Sequence, residues 1–460
     1  MSTNNIAFTA RLNPAGASPI LTEDQVWTGL LLKIKSAETF VPRAIQSTTV
    51  ISESTDSSTG NPVTVREVVF CENQRKVRET VTAYKPSRVT FVQPDRSAIT
   101  NIVSEDADGE LYMTYTFEWR HPESSAAELA LFLETEKKMS KMAVEGTITV
   151  LLGIAGITGK FARCVVGHLL KNPAVTIKGY CRDPTKLPAS LLASKRITIT
   201  QGQAGDENAL RSFAKGNDVV VCCYLGDHDL MINGQKALID ACEAESVPRY
   251  VASDYSLDFT QLEVGQLPAK DPMKHVQEYL ESKKVRGVHV LIGIFMETFF
   301  TTFFNVWNSK EPSFSYWGSG EEMWESTTYD NAAEFVAAVA QDQSAVGIQR
   351  FLGDRKNIQE VAVAFEKEYN LKPWLNRLGS LEELYAHMHQ VKDKDPNNFM
   401  AWIPLFYQFY CQNGQTYLTP HVDSSKYPQI PRLTFNDFFQ RHSQESLSKA
   451  AWDVGSDVSA

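Results

Sequence analysis

Lys274 and Glu278 stand one helical turn apart in K-D-P-M-K-H-V-Q-E-Y-L-E-S-K-K, a segment that runs into the apolar stretch V-H-V-L-I-G-I-F. Crowding, and a positive group nearby, would lower the pKa of a lysine at such a place towards neutrality. The same segment also contains Tyr279-x-x-x-Lys283, a spacing at which lysine can lower the pKa of a tyrosine acid. Tyr279 lies in the C-terminal half of the helix, close to the next strand, so the pair reads as solvated helix surface. Four residues before Lys274, where a tyrosine would stand, the chain has Lys270.

A second constellation lies upstream. T-I-T-V-L-L-G-I-A-G-I-T-G-K-F puts Gly153, Gly156 and Gly159 directly after an apolar run and before a helical one, with Ile154, Ile157 and Thr158 between them. Strand, glycine turn and helix in that order make a phosphate cradle, since a helix N-terminus offers unpaired N–H groups and a positive dipole end. The next strand-like segment ends T-I-K-G-Y-C-R-D-P-T-K-L. A dinucleotide site with a free ribose 2′-OH usually carries an acid there. Arg182 and Lys186 instead offer two cations suited to a 2′-phosphate. The cofactor expected from these residues is NADPH.

Other reactive residues read as structural. Cys222 and Cys223 lie inside D-V-V-V-C-C-Y-L, and the odd total of seven cysteines shows no metal-like pairing or closed disulfide framework. Asp227-His228-Asp229 follows a strand end without a second ligand group at recognisable spacing, so no metal is expected.

The elements that must position these residues fall into two patterns. From 147 onwards, strand-like and helical segments alternate, as in a parallel, doubly wound sheet. Residues 18–145 read differently. A capped helix opens at Thr22, and strand-like V-T-V-R-E-V-V-F, K-V-R-E-T-V-T-A-Y, R-V-T-F-V-Q and E-L-Y-M-T-Y-T-F-E-W-R follow. The last alternates strictly, with Leu111, Met113, Tyr115, Phe117 and Trp119 on one face. A long helix closes the unit. The expected organisation is an α+β helix-grip domain over 1–145 and a Rossmann α/β domain over 146–460. An aromatic-rich substrate lobe is expected over about 295–445.

The first of these patterns, L-T-E-D-Q-V-W-T-G-L with D-G-E-L-Y-M-T-Y-T-F-E-W, resembles the START-like (SRPBCC) superfamily, which implies a domain holding apolar small molecules. The second resembles the NmrA-like and isoflavone reductase-like branch of the atypical short-chain dehydrogenase/reductases. Its matches are G-x-x-G-x-x-G at 153–159, R-x-x-x-K at 182–186, Q-K-A-L-I-D-A-C at 235–242, R-Y-V-A-S-D-Y at 249–255 and W-G-S-G with D-N-A-A-E-F at 317–335. That resemblance implies that Lys274 is the acid/base beside the nicotinamide. It also implies that Tyr224, Leu225 and Gly226, with Ser253, Asp254 and Tyr255, flank the cofactor. His275, Val276 and Pro272 depart from the plant reductases around the lysine.

Bulk properties narrow the partner. The 460 residues carry a net charge of −10, with 43% hydrophobic and 22% charged residues. Nucleic acid is therefore not expected, because phosphate contacts need clustered cations. The chain shows neither an apolar leader nor an uncharged run long enough to span a membrane, and a cytosolic protein is expected. The reading is an NADPH-dependent reductase of a small, apolar, conjugated substrate in specialised metabolism. An NADP-binding redox sensor and a non-redox cyclase or isomerase stand beside it.

Overall fold

The computed structural model describes residues 3–13, 21–41, 45–71, 74–122, 124–148, 150–172 and 174–453. The chain divides into two compact units, 1–150 with 171–175, and 151–170 with 176–460.

The first unit is one antiparallel sheet with two helices. Its strands are β1 (Thr3–Arg11), β2 (Ile45–Thr55), β3 (Pro62–Phe70), β4 (Lys76–Tyr84), β5 (Arg88–Val92), β6 (Ala98–Glu105) and β7 (Leu111–Arg120). They lie in the order β1-β7-β6-β5-β4-β3-β2, so the first strand joins the last and the remainder form a meander. Helix α1 (Glu23–Lys35) starts at a Thr22–Gln25 capping box and buries Val26, Trp27, Leu30, Lys33 and Ile34. Helix α2 (Ala126–Ile148) contacts β1 and β7. The strict alternation of β7 is realised: Leu111, Met113, Tyr115 and Phe117 are buried in one core with Val81, Phe91 and α1.

The second unit is a parallel sheet covered on both faces. Its elements in chain order are β8 (Val150–Ala155), α3 (Lys160–Leu170), β9 (Val175–Cys181), α4 (Ala189–Leu192), β10 (Ile197–Gln201), α5 (Glu207–Ala214) and β11 (Val219–Cys222). Then come α6 (Gln235–Ala244), β12 (Arg249–Val251), α7 (Asp271–Glu281) and β13 (Arg286–Leu291). The order is β10-β9-β8-β11-β12-β13, followed by the strand Gly347–Arg350. The chain reverses direction of growth between β8 and β11, and ligands of open α/β sheets bind at the carboxyl ends of the strands at that point. Helices α5, α6 and α7 pack into one core on the sheet, while α3 packs against the helix Tyr329–Gln341.

The 295–445 range lies in the same compact unit as the parallel sheet. Gly347–Arg350 supplies the seventh parallel strand, pairing with β13 from Val288↔Gly347 to Leu291↔Arg350. A single aromatic-rich core runs from Leu257 and Met273 through Phe299, Phe314 and Trp324 to Phe438. Residues in the 295–445 range therefore complete the sheet as well as extending beyond it. No helix among the described residues is long and apolar enough to cross a membrane.

Candidate functional site

The glycine loop leaves β8 at Ala155 and enters α3 at Lys160. Gly156 is its pivot: φ is +77°, and a Cβ there would lie 2.8 Å from the Cys223 carbonyl oxygen. Only glycine takes both the left-handed backbone and that close approach without strain. Gly153 does not make the turn. It lies within β8 opposite Val220, where a Cβ would come 2.6 Å from Asn217 Nδ2, so its smallness lets the strand pack beside the end of α5. A Cβ on Gly159 would lie 3.2 Å from the Gly156 carbonyl oxygen, which keeps the loop tight.

Ile154 and Ile157 are fully buried anchors of the loop, and Thr158 is half-buried. The loop consumes some of its own donors, with Gly156 and Ile157 N–H reaching the Tyr180 carbonyl and Gly159 N–H the Gly156 carbonyl. The first-turn N–H groups of α3 have no intrahelical acceptor, which is the arrangement that receives a phosphate.

The neighbouring strand ends close in on the loop. Ser253 Oγ donates to the Tyr224 carbonyl at 2.7 Å, and Tyr255 Oη donates to the Cys222 carbonyl at 2.8 Å. Tyr255 holds φ at +37°, a left-handed position for a non-glycine residue, and its ring lies 4.5 Å from that of Phe161 on α3. Backbone strain of this kind costs about 1–3 kcal/mol and collects at functional sites. Burial pushes the Tyr255 phenol well up, and its proton is already committed to a carbonyl, so it is a poor acid at neutral pH. Burial likewise raises the thiol of Cys222 to about 12. Leu225 is 92% exposed beyond the end of β11, and Gly226 precedes the turn into the helical segment at Leu230.

Two residues outside the expected set organise this edge. Gln235 is fully buried; its Oε1 accepts from Ser253 N–H and from Tyr250 Oη. His289 pairs through Nδ1 with Asp254 Oδ2 at 2.7 Å, both side chains buried. A histidine inside V-H-V-L-I-G-I-F was the available signal, since a polar residue in an apolar strand needs a partner. Asp254 thus ties β12 to β13.

At the end of β9, Arg182 and Lys186 are both exposed. Asp183 does not compete with them for a ribose. Its Oδ1 accepts from Thr185 N and Oγ1, capping the short turn Pro184–Lys186, and the Thr185 hydroxyl, then its N–H, holds the carboxyl below its usual range. The acid at the strand end is used locally, and the cations face solvent.

Lys274 lies on α7 and is half-buried. Helix α7 turns Pro272, Met273, Val276 and Leu280 inward. Lys274 lines a shallow, open groove with Val264, His275, Gln277, Glu278 and Glu281. It makes no hydrogen bond or ion pair with the glycine loop or with 224–226 and 253–255. The α7 residue that reaches the strand ends is Met273, whose Sδ accepts from Ser256 Oγ at 3.6 Å. Tyr279 and Lys283 sit on the outer surface, where both bond Asp240. Asp227 caps the following turn through Leu230 N–H, and no metal-binding cluster occurs among the described residues.

Two family matches meet at 155/156, just after β8 and a few residues beyond the boundary between the two units. Residues 6–155 match the family described as acetylaranotin biosynthesis cluster protein L, and residues 156–290 match the NAD(P)H-binding family. No curated protein matches the chain. Among solved structures, a crystal structure of isoflavone reductase is 16% identical with a TM-score of 0.52, covering 64% of this chain and 99% of that one. The leucoanthocyanidin reductase–NADPH complex from Vitis vinifera is 18% identical at TM-score 0.53, covering 63% and 98%. An NADPH-dependent quinone oxidoreductase from Escherichia coli, complexed with NADPH, is 19% identical at TM-score 0.51, covering 63% and 99%. These likenesses establish the fold. The second unit thus shares the fold of these structures, and the NAD(P)H-binding match falls within it.

Proposed function

We propose that the chain is an NADPH-dependent reductase of a small, apolar, conjugated molecule, acting in specialised metabolism in the cytosol. The observation that carries the reading is the loop at the β8–β11 switch point. There, left-handed Gly156 lies against the Cys223 carbonyl, while Arg182 and Lys186 stand uncommitted at the end of β9. When bound, NADPH supplies the hydride for an enone, imine or benzylic centre. The chain's share is to hold the pyrophosphate on α3, to meet the 2′-phosphate with Arg182 and Lys186, and to line the nicotinamide side with 224–226 and 253–255. The START-like first unit would bind, deliver or cyclise the same apolar intermediate. Small-molecule partners fit the acidic net charge better than nucleic acid or membrane.

In this reading Lys274 gives or takes the proton at the acceptor. One observation favours a second reading, an NADP(H)-binding redox sensor without turnover: α7 presents Met273 to the strand ends and turns Lys274 towards an open groove. The test is loss of NADPH absorbance with a panel of enones and imines, for wild type and for Lys274→Ala. Turnover by wild type that Lys274→Ala abolishes supports the lysine. Equal turnover by both removes Lys274 from the chemistry. Tight NADPH binding with no turnover on any substrate supports the sensor.

A further inference from the structure

Asn101 stands in the middle of β6 with its side chain fully buried, and neither Nδ2 nor Oδ1 has a hydrogen-bond partner. Its neighbours across the sheet are apolar or aromatic. The row runs Phe8, Tyr115, Asn101, Val89 and Ala83 along β1, β7, β6, β5 and β4. All belong to, or pack against, the core closed by α1. A protein does not commonly keep an amide in such surroundings with both ends unmet, since each orphaned group carries its full desolvation cost.

The buried charged groups of this face are committed to one another or to carbonyls and rings, not to Asn101. Arg66 gives Nε and Nη2 to Glu79 Oε2 at 2.9 and 2.7 Å, and Nη1 to the Lys33 and Ile34 carbonyls. Lys33 lies with its ammonium 4.9 Å from the centre of the Tyr115 ring, the cross-strand neighbour of Asn101. Burial, then the charge of Arg66, brings the Lys33 amine down to about 7. The inner face of the sheet thus sets a few buried polar groups among apolar and aromatic ones.

We propose that the Asn101 amide is the recognition element of a ligand site inside the first unit, and that its ligand is a largely apolar molecule carrying a cis amide, such as a lactam. This rests on the reading that the first unit takes an apolar small molecule. The chemistry follows from the donor set. Along one edge of its amide plane Asn101 presents its acceptor oxygen and one of its two N–H donors. A cis amide presents the complementary donor and acceptor side by side and satisfies both. A carboxylate presents acceptors only, and would leave Oδ1 unmet. An isolated ketone would do the same.

The experiment uses the full chain and the fluorescent apolar reporter N-phenylnaphthylamine, displaced by carbostyril, a fused bicyclic lactam, or by N-methylcarbostyril, which has the same carbonyl without the N–H. Wild type is expected to bind carbostyril about tenfold more tightly, the difference made by about one buried hydrogen bond. Asn101→Leu is expected to bind both lactams alike, with a thermal midpoint at or above that of wild type, because it replaces an orphaned amide by an apolar group of similar size. Equal binding of the two lactams by wild type overturns the proposal without need of any variant. So does a preference that survives in Asn101→Leu. If the reporter does not bind wild type at all, the apolar-ligand reading of the unit fails, and the proposal with it. Reporter binding with no lactam preference defeats the proposal alone.

Discussion

At the residue scale, the site depends on a small number of positions whose chemistry is fixed by geometry. Gly156 is the clearest. Alanine there would carry a methyl into the Cys223 carbonyl and a left-handed backbone that costs about 1–2 kcal/mol for an L-residue. Relief of that strain moves the loop that receives the phosphates. Gly156→Ala is therefore expected to weaken NADPH binding by roughly tenfold or more, measured by quenching of intrinsic fluorescence. Unchanged affinity would separate the loop from the cofactor. Arg182 answers a different question. Asp183 already spends its carboxylate on Thr185, so cofactor preference falls to the exposed cations. Arg182→Asp is expected to shift the ratio of NADPH to NADH affinity by about 10- to 100-fold towards NADH, the worth of one or two charge-assisted contacts. An unaltered ratio would remove the 2′-phosphate argument.

Elements show which structure was legible in the sequence and which was not. Alternation from 147 was legible because most strands of the parallel sheet are short apolar runs bounded by turn residues. It missed Gly347–Arg350, since G-I-Q-R carries a single apolar side chain and becomes a strand only by pairing with β13. In the first unit β3, β4, β5 and β7 were visible, while β1, β2 and β6 were not. β2 is almost wholly exposed, β1 belongs to the sheet only through its register with β7, and β6 places the polar Asn101 at an inward position. The site followed the same division. The glycine turn and the strand ends are local patterns, whereas which residues of α7 face inward, Met273 among them, depends on the rotation of that helix about its axis. One element carries a pH signature. The Lys33 amine of α1 drops to about 7 from 10.5 through burial and Arg66. Above about 7 the native state has lost a proton that the unfolded chain keeps until about 10.5, so stability rises with pH across that window. The slope is at most about 1.4 kcal/mol per pH unit. Urea unfolding of wild type at about pH 7 and about pH 9 should show that rise, and Lys33→Met should flatten the difference. Parallel slopes would mean that Lys33 keeps its ordinary pKa.

At the scale of the whole molecule, two units with separate cores are joined in one chain, and each unit carries its own proposed ligand. Linkage requires that a ligand stabilise the folded form of whatever binds it, by RT ln(1 + [L]/Kd), which is about 2.7 kcal/mol at a hundredfold excess over Kd. The residues that would hold NADPH all lie between 153 and 255, within the second unit. Calorimetric unfolding with excess NADPH is therefore expected to raise the transition that reports the parallel sheet and to leave that of the antiparallel sheet where it was. The two can be told apart by Glu79→Gln, which leaves the buried Arg66 guanidinium without its charge partner. Breaking a buried pair from one side costs about 3–5 kcal/mol, so this substitution should lower only the antiparallel-sheet transition. An NADPH shift that moves both transitions equally, or a Glu79→Gln effect that spreads to both, would show that the units unfold as one. The cofactor would then stabilise the first unit as well as the second.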